Sequence, residues 1–151
     1  MFRYWQIWSR RVAPALALLV LATGCSGHNR LSTAIDDLDL PGDFVEVAEM
    51  RTGPGLNVGS DYPRVSKFYL SQNSPQQTCE TMRIWSSERG LSEEIVPDDT
   101  FVSCSFSGAI DSNQISILVM PPLTDIPALD PSAEPIPIDV EHEAVVEIGM
   151  Y

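Results

Sequence analysis

The chain has 151 residues, 21 acidic and nine basic, and a formal charge of −12; three of the basic residues, Arg3, Arg10 and Arg11, fall within its first eleven positions. From residue 25 onward six basic side chains face all 21 acidic ones, a net charge of −15 that repels a phosphate backbone and disfavours both nucleic-acid binding and electrostatic docking on anionic headgroups. The 127 residues that carry this charge suit one domain with its own core better than two.

In chain order, Arg3, Arg10 and Arg11 form a positive leader and Val12 to Ala22 an apolar run of 11 residues, the shape of a secretory signal peptide over residues 1–24. As a helix this run covers roughly 16 Å of a ~30 Å hydrocarbon core, too little to span it. It ends at Ala22-Thr23-Gly24-Cys25, which resembles the lipobox of bacterial lipoproteins, with Ala22 in the place that Leu most often fills. The resemblance implies cleavage before Cys25, acylation of Cys25, and anchoring to the extracytoplasmic side of the cell membrane through that lipid. The cysteine count agrees: with Cys25 acylated, Cys79 and Cys104 remain as an even pair.

Residues 25–42 read as a lipidated tether. Ser26 to Leu40 shows no sustained apolar period, and as a flexible segment it would hold the domain on the order of 20 Å from its anchor. Asp37, Asp39 and Gly42 occupy three positions of an EF-hand loop, but Pro41 and Ala48 stand where two further ligands belong, so a solvated linker with a Pro41-Gly42 turn is expected and no metal.

Residues 43–151 read as a single domain. Residues 44–50 and 64–71 alternate as strands, the second with Phe68 and Leu70 on one face and Lys67 and Tyr69 on the other. Between them Gly53 to Ser60 is a loop, which lacks the Lys and the following helix of a phosphate cradle. Ser74, Pro75 and Gln77 form a capping box with proline at the first helical position, and Gly90 ends that helix. Cys79, Met82 and Trp85 make its packing stripe. After an acidic turn, Glu93 to Asp99, a strand over residues 100–110 places Val102, Cys104 and Phe106 on one face and Ser103, Ser105 and Ser107 on the other. It forms a hairpin, through Asp111-Ser112-Asn113, with a strand over residues 114–120 whose Ile115, Ile117 and Val119 align. Pro121 to Asp139 holds six of the twelve prolines; it predicts an extended connector, the most mobile part of the domain unless it folds back over the sheet. Residues 141–149 form the last strand. The expected fold is a two-layer α+β domain, β-β-α-β-β-β, an antiparallel or mixed sheet with one helix on one face.

Export places Cys79 and Cys104 in an oxidising compartment, and both point into the layer between helix and sheet, so they are expected to form a disulfide worth roughly 3.5 kcal/mol in the chain-entropy model. Nothing points to catalysis or a cofactor: His28 falls in the tether, and the glutamates beside His142 point away from it in a strand. The expectation is a non-catalytic interaction module of the cell envelope with a protein partner, the alternative a small-ligand or cation-binding lipoprotein. A filled helix–sheet interface favours the first and an apolar cavity the second.

Overall fold

The period-two segments pair into one antiparallel sheet. In the computed structural model, which describes residues 27–54, 56, 61–98, 100–127 and 134–151, the chain forms strands β1 (Val45–Thr52), β2 (Arg64–Ser71), β3 (Ser92–Glu94), β4 (Cys104–Ile110), β5 (Asn113–Met120) and β8 (Ala144–Met150). They lie in the order β1-β2-β8-β5-β4-β3, while β6 (Asp125–Ile126) and β7 (Ile136–Pro137) make a small second sheet. Two helices, α1 (residues 27–36) and α2 (Pro75–Glu88), cover one face of the large sheet. The class is α+β, as expected. Residues 1–24, expected to be a signal peptide, and Cys25 lie outside the described residues.

Local chemistry accounts for the boundaries. Ser74 accepts from the Gln77 N–H and the Gln77 side chain accepts from the Ser74 N–H, so the capping box closes α2 at its start. Gly90, at φ +73°, ends it in the left-handed conformation that a side chain resists. Asp111 and Ser112 both have positive φ between the paired residues Ile110 and Asn113, a two-residue turn whose twist matches that of the flanking strands.

Between helices and sheet, Cys79, Met82 and Trp85 of α2 pack on Val65, Tyr69, Phe106, Ile115, Ile117, Val119, Val146 and Ile148. The expected faces of the strands hold. Cys79 and Cys104 are bridged, with Cα atoms 6.0 Å apart, and the bond ties α2 to β4 across 25 positions of sequence. The Trp85 indole N–H donates to the Asp39 carbonyl at 2.5 Å, and the Arg89 guanidinium stacks 4.1 Å from the Trp85 ring, which fastens the end of α2 to the segment before β1.

Three expectations are corrected. The supposed tether is structured from residue 27: α1 buries His28, Leu31, Ser32 and Ile35 against the sheet, so the domain begins there and not at residue 43, and two helices cover the sheet instead of one. These positions follow the i, i+3, i+4, i+7 stripe of a packed helix, but two of the four are polar, which hides the period from hydrophobicity alone. Glu93 and Glu94, read as the start of an acidic turn, instead belong with Ser92 to the edge strand β3, paired with β4 and decorated by these glutamates in the way that exposed edges commonly carry charge. The connector, expected to be mobile, is docked at both ends: Ile126 is fully buried, Leu123 and Ile138 pack beside it, and the Ile138 N–H donates to the Thr124 carbonyl at 3.0 Å. Its middle, 128–133, lies outside the described residues.

Because Leu31 is 1% exposed in the core, Leu31→Ala should cost about 2–5 kcal/mol in urea unfolding, the range for emptying a buried leucine site. A change within about ±0.5 kcal/mol, as for a surface or linker position, would return the segment to the status of a tether.

Candidate functional site

The large sheet has a second face, and β1, β2 and β8 make it apolar. Ala48, Phe68, Leu70 and Val145 are buried there under Ile126, with Met50, Met120 and Leu123 at the margins. The covering is incomplete. A cleft of about 460 Å³ opens between the sheet and the connector, floored by Met50, Phe68 and Met120 and walled by Leu123, Pro127 and Phe101. Ser66, Thr124, Asp125 and Glu147 supply its polar groups. Phe101 is 79% exposed at the rim. Its volume falls within the ~300–1,000 Å³ of small-molecule pockets, and the flexible thioethers of Met50 and Met120 suit a lining that adapts to what it holds.

Two side chains shape this cleft. His142 is half-buried beside the connector, with Nε2 accepting from the Leu123 N–H at 3.3 Å and Nδ1 at 2.7 Å from the Val140 carbonyl. The neutral Nδ1–H tautomer satisfies both bonds, so His142 positions the wall of the cleft and is not arranged as a base. At the other end Arg64 lies 3.6 Å from Glu147. A Cβ on Gly149 would come within 2.8 Å of Ser116 Oγ and 3.0 Å of the Arg64 guanidinium, so glycine lets that arginine lie flat across the sheet.

The helix-covered face holds the densest charge cluster. Lys67, the one lysine of the chain, is 3% exposed with Nζ 2.5 Å from Asp36, 3.3 Å from Glu46 and 3.4 Å from Glu49. Glu46 and Glu49 converge on it because β1 carries a bulge at Val47: Glu46 pairs with Tyr69 and Ala48 with Phe68, which turns residues three apart to the same side. Ser32 of α1 donates to Glu49 at 2.6 Å, so the cluster fastens α1 to β1 and β2. Burial by itself disfavours the Lys67 ammonium, but the hydrogen bonds it donates to Asp36 and Glu46 and the charges of those carboxylates outweigh it and raise its pKa. For Glu49 burial pulls upward, and the bonds from Ser32 and Arg51 with the charges of Arg51 and Lys67 bring the net shift below the ordinary 4.5. Burial first, then the Glu46 carboxylate, push the neighbouring Tyr69 phenol up to about 12. Each carboxylate is answered by a cation or a hydroxyl in place, which is the arrangement of a structural clamp.

The remaining sequence candidates are dispersed. His28 is buried with Nε2 2.8 Å from the Thr52 carbonyl, at the far side of the sheet from His142. Asp37, Asp39 and Gly42 are exposed, and among the described residues no group of three or more His, Cys, Asp or Glu side chains is placed to hold a metal ion. Cys79 and Cys104 serve the disulfide. Cys25 and most of the glycine-rich loop, Gly55 and 57–60, lie outside the described residues. The cleft itself was missed in the sequence because its walls come from five separate segments; the signal was the double apolarity of β2, whose Phe68 and Leu70 alternate with an apolar Tyr69. Comparison with family models, curated proteins and solved structures finds no match to this chain.

The clamp titrates on its acid side. Glu49, its pKa lowered, contributes stability that is present above its ordinary 4.5 and is lost as pH falls through its folded value; Lys67, its pKa raised, contributes below its ordinary 10.5 and loses that contribution only in strong base. Lys67→Met should therefore cost roughly 2–3 kcal/mol at pH 7, below the usual figure for a broken buried pair because Asp36 and Glu46 are partly solvated. The penalty should shrink as pH falls below 4.5 and Glu49 protonates. Urea titrations of both proteins across this range check it, and a penalty independent of pH would make the loss one of packing alone.

Proposed function

We propose that the chain is a lipid-anchored, extracytoplasmic interaction module, non-catalytic, whose docking surface is the cleft on the second sheet face and whose partner is a protein of the cell envelope. The observation that carries this reading is the open apolar cleft with Phe101 at its rim. A large aromatic ring left 79% exposed beside a partly filled apolar groove is energetically unfavourable in water, and burial against a partner removes that cost. The volume of the cleft favours, as a second reading, a small apolar ligand. Strand addition is the weaker route, since edge strand β1 is bulged and charged and edge strand β3 has three residues.

Two measurements test the proposal. A photoreactive phenylalanine analogue at position 101, in protein left in its own membrane, should give a discrete protein adduct that the same analogue at Ile84, exposed on α2, does not. An adduct only at Ile84 would place the partner on the helical face, and native mass spectrometry showing a small molecule lost on Met120→Arg would favour the second reading. Separately, Cys25→Ser should release the domain from the membrane or leave an uncleaved precursor; unchanged mass and retention would sink the anchor.

A further inference from the structure

Gly27, the first described residue of α1, stands two positions after Cys25. Two residues reach about 7 Å at most. A lipid on Cys25 therefore leaves no spacer between bilayer and domain, and the place where α1 starts decides which part of the fold meets the membrane. Gly27 lies against Pro63, where a Cβ would sit 3.3 Å from the proline Cγ, and His28 bonds the Thr52 carbonyl. Thr52 pairs with Arg64 at the β1–β2 end of the sheet, Val65 with Met150, and Met150 with Ile115; Tyr151 then exchanges both backbone bonds with Gln114, next to the β4–β5 turn. The start of α1, the neck of the β1–β2 loop, the β4–β5 turn and Tyr151 thus share one end of the sheet.

We propose that this end is a membrane-facing surface that rests on the interfacial layer of the bilayer, an inference that depends on the reading of Cys25 as lipidated. Its composition fits. Leu56, Tyr62 and Tyr151 are 44%, 75% and 51% exposed here, and tyrosine is the side chain that settles at headgroup depth with its ring in apolar surroundings and its hydroxyl wet. Arg30, Arg51 and Arg64, half of the six basic residues after Cys25, gather at the same end, with Arg64 5.9 Å from the Tyr151 ring. Asp61 and Asp111 share this end, and Arg51 and Arg64 lie against Glu49 and Glu147, so the fit to headgroups rests on the tyrosines and on individual arginines and not on net charge. The opposite end carries the exposed Val45, beside the Val45–Leu70 pair, and Ile95, which follows the Glu94–Ser105 pair.

The native cysteines are engaged by the lipid and the disulfide, so a single introduced thiol can carry a fluorophore in the full lipidated protein. Tyr62→Cys, Arg30→Cys and Ile95→Cys proteins, each labelled and reconstituted in vesicles of phosphatidylethanolamine and phosphatidylglycerol bearing a headgroup nitroxide, report distance from the interface. Labels at 62 and 30 should be quenched and the label at 95 should keep its emission; two reporters at the near end guard against one variant that fails to fold. Equal quenching at all three sites, quenching at 95 alone, or none at any site would overturn the orientation. Intact mass measured on the same samples separates the two claims: protein without the added acyl groups would overturn the anchor and the orientation with it, whereas lipidated protein with an unquenched near end would overturn the orientation alone.

Discussion

The structure depends on a sheet whose inner strands are apolar on both sides. β2 is buried from Val65 to Ser71, and β8 is buried at every residue but Glu147, so neither can face water on either surface. An antiparallel sheet of this kind must be covered twice. One cover is the helical layer, stapled by the Cys79–Cys104 disulfide; the other is the connector, which brings Ile126, Leu123 and Ile138 down onto Phe68, Leu70 and Val145. The second cover is shorter than the face beneath it. The cleft is the uncovered remainder, which places the candidate site where the fold leaves apolar surface unfinished.

Charge decides how the first cover is completed. With six basic side chains after Cys25, attraction is scarce, and the sole lysine is placed where three carboxylates converge. That arrangement holds α1 down despite a buried stripe that is half polar. Replacing the whole cluster with apolar groups of equal volume would cost little, since buried ion pairs repay their desolvation poorly. What it supplies is a tie between three elements: Asp36 of α1 and Glu46 and Glu49 of β1 all reach Lys67 of β2, and Ser32 of α1 donates to Glu49.

The hairpin, the capping box, the packing stripe of α2 and the inward faces of four strands were legible in the sequence because each rests on a short-range rule of period or turn chemistry. The bond between Cys79 and Cys104 was legible for a related reason, as cysteine parity and two local faces sufficed. α1 was not, because His28 and Ser32 occupy half its buried stripe and are held by partners distant in the chain, Thr52 and Glu49. β3 was hidden by its three exposed, polar residues, which carry no apolar alternation and gain their pairing from β4 alone. Proline content suggested mobility for the connector; it reports only that regular helix is barred, and Ile126 and Ile138 dock in extended form without violating it. Of the cleft, Phe101 and Met120 were visible as residues but not as neighbours, because their meeting depends on strand order, and the place of β8 between β2 and β5 is a long-range outcome.

The central claim, that both faces of the sheet are covered by segments with no strong pattern of their own, is tested most directly by native-state amide hydrogen exchange. Residues 31–36 of α1 and the Ile138 amide, which bonds the Thr124 carbonyl across the second face, should exchange far more slowly than an unstructured chain, with α1 approaching the protection of β2 and β8. Exchange at free-peptide rates in either segment, with the strands still protected, would leave that face of the sheet bare and contradict the account.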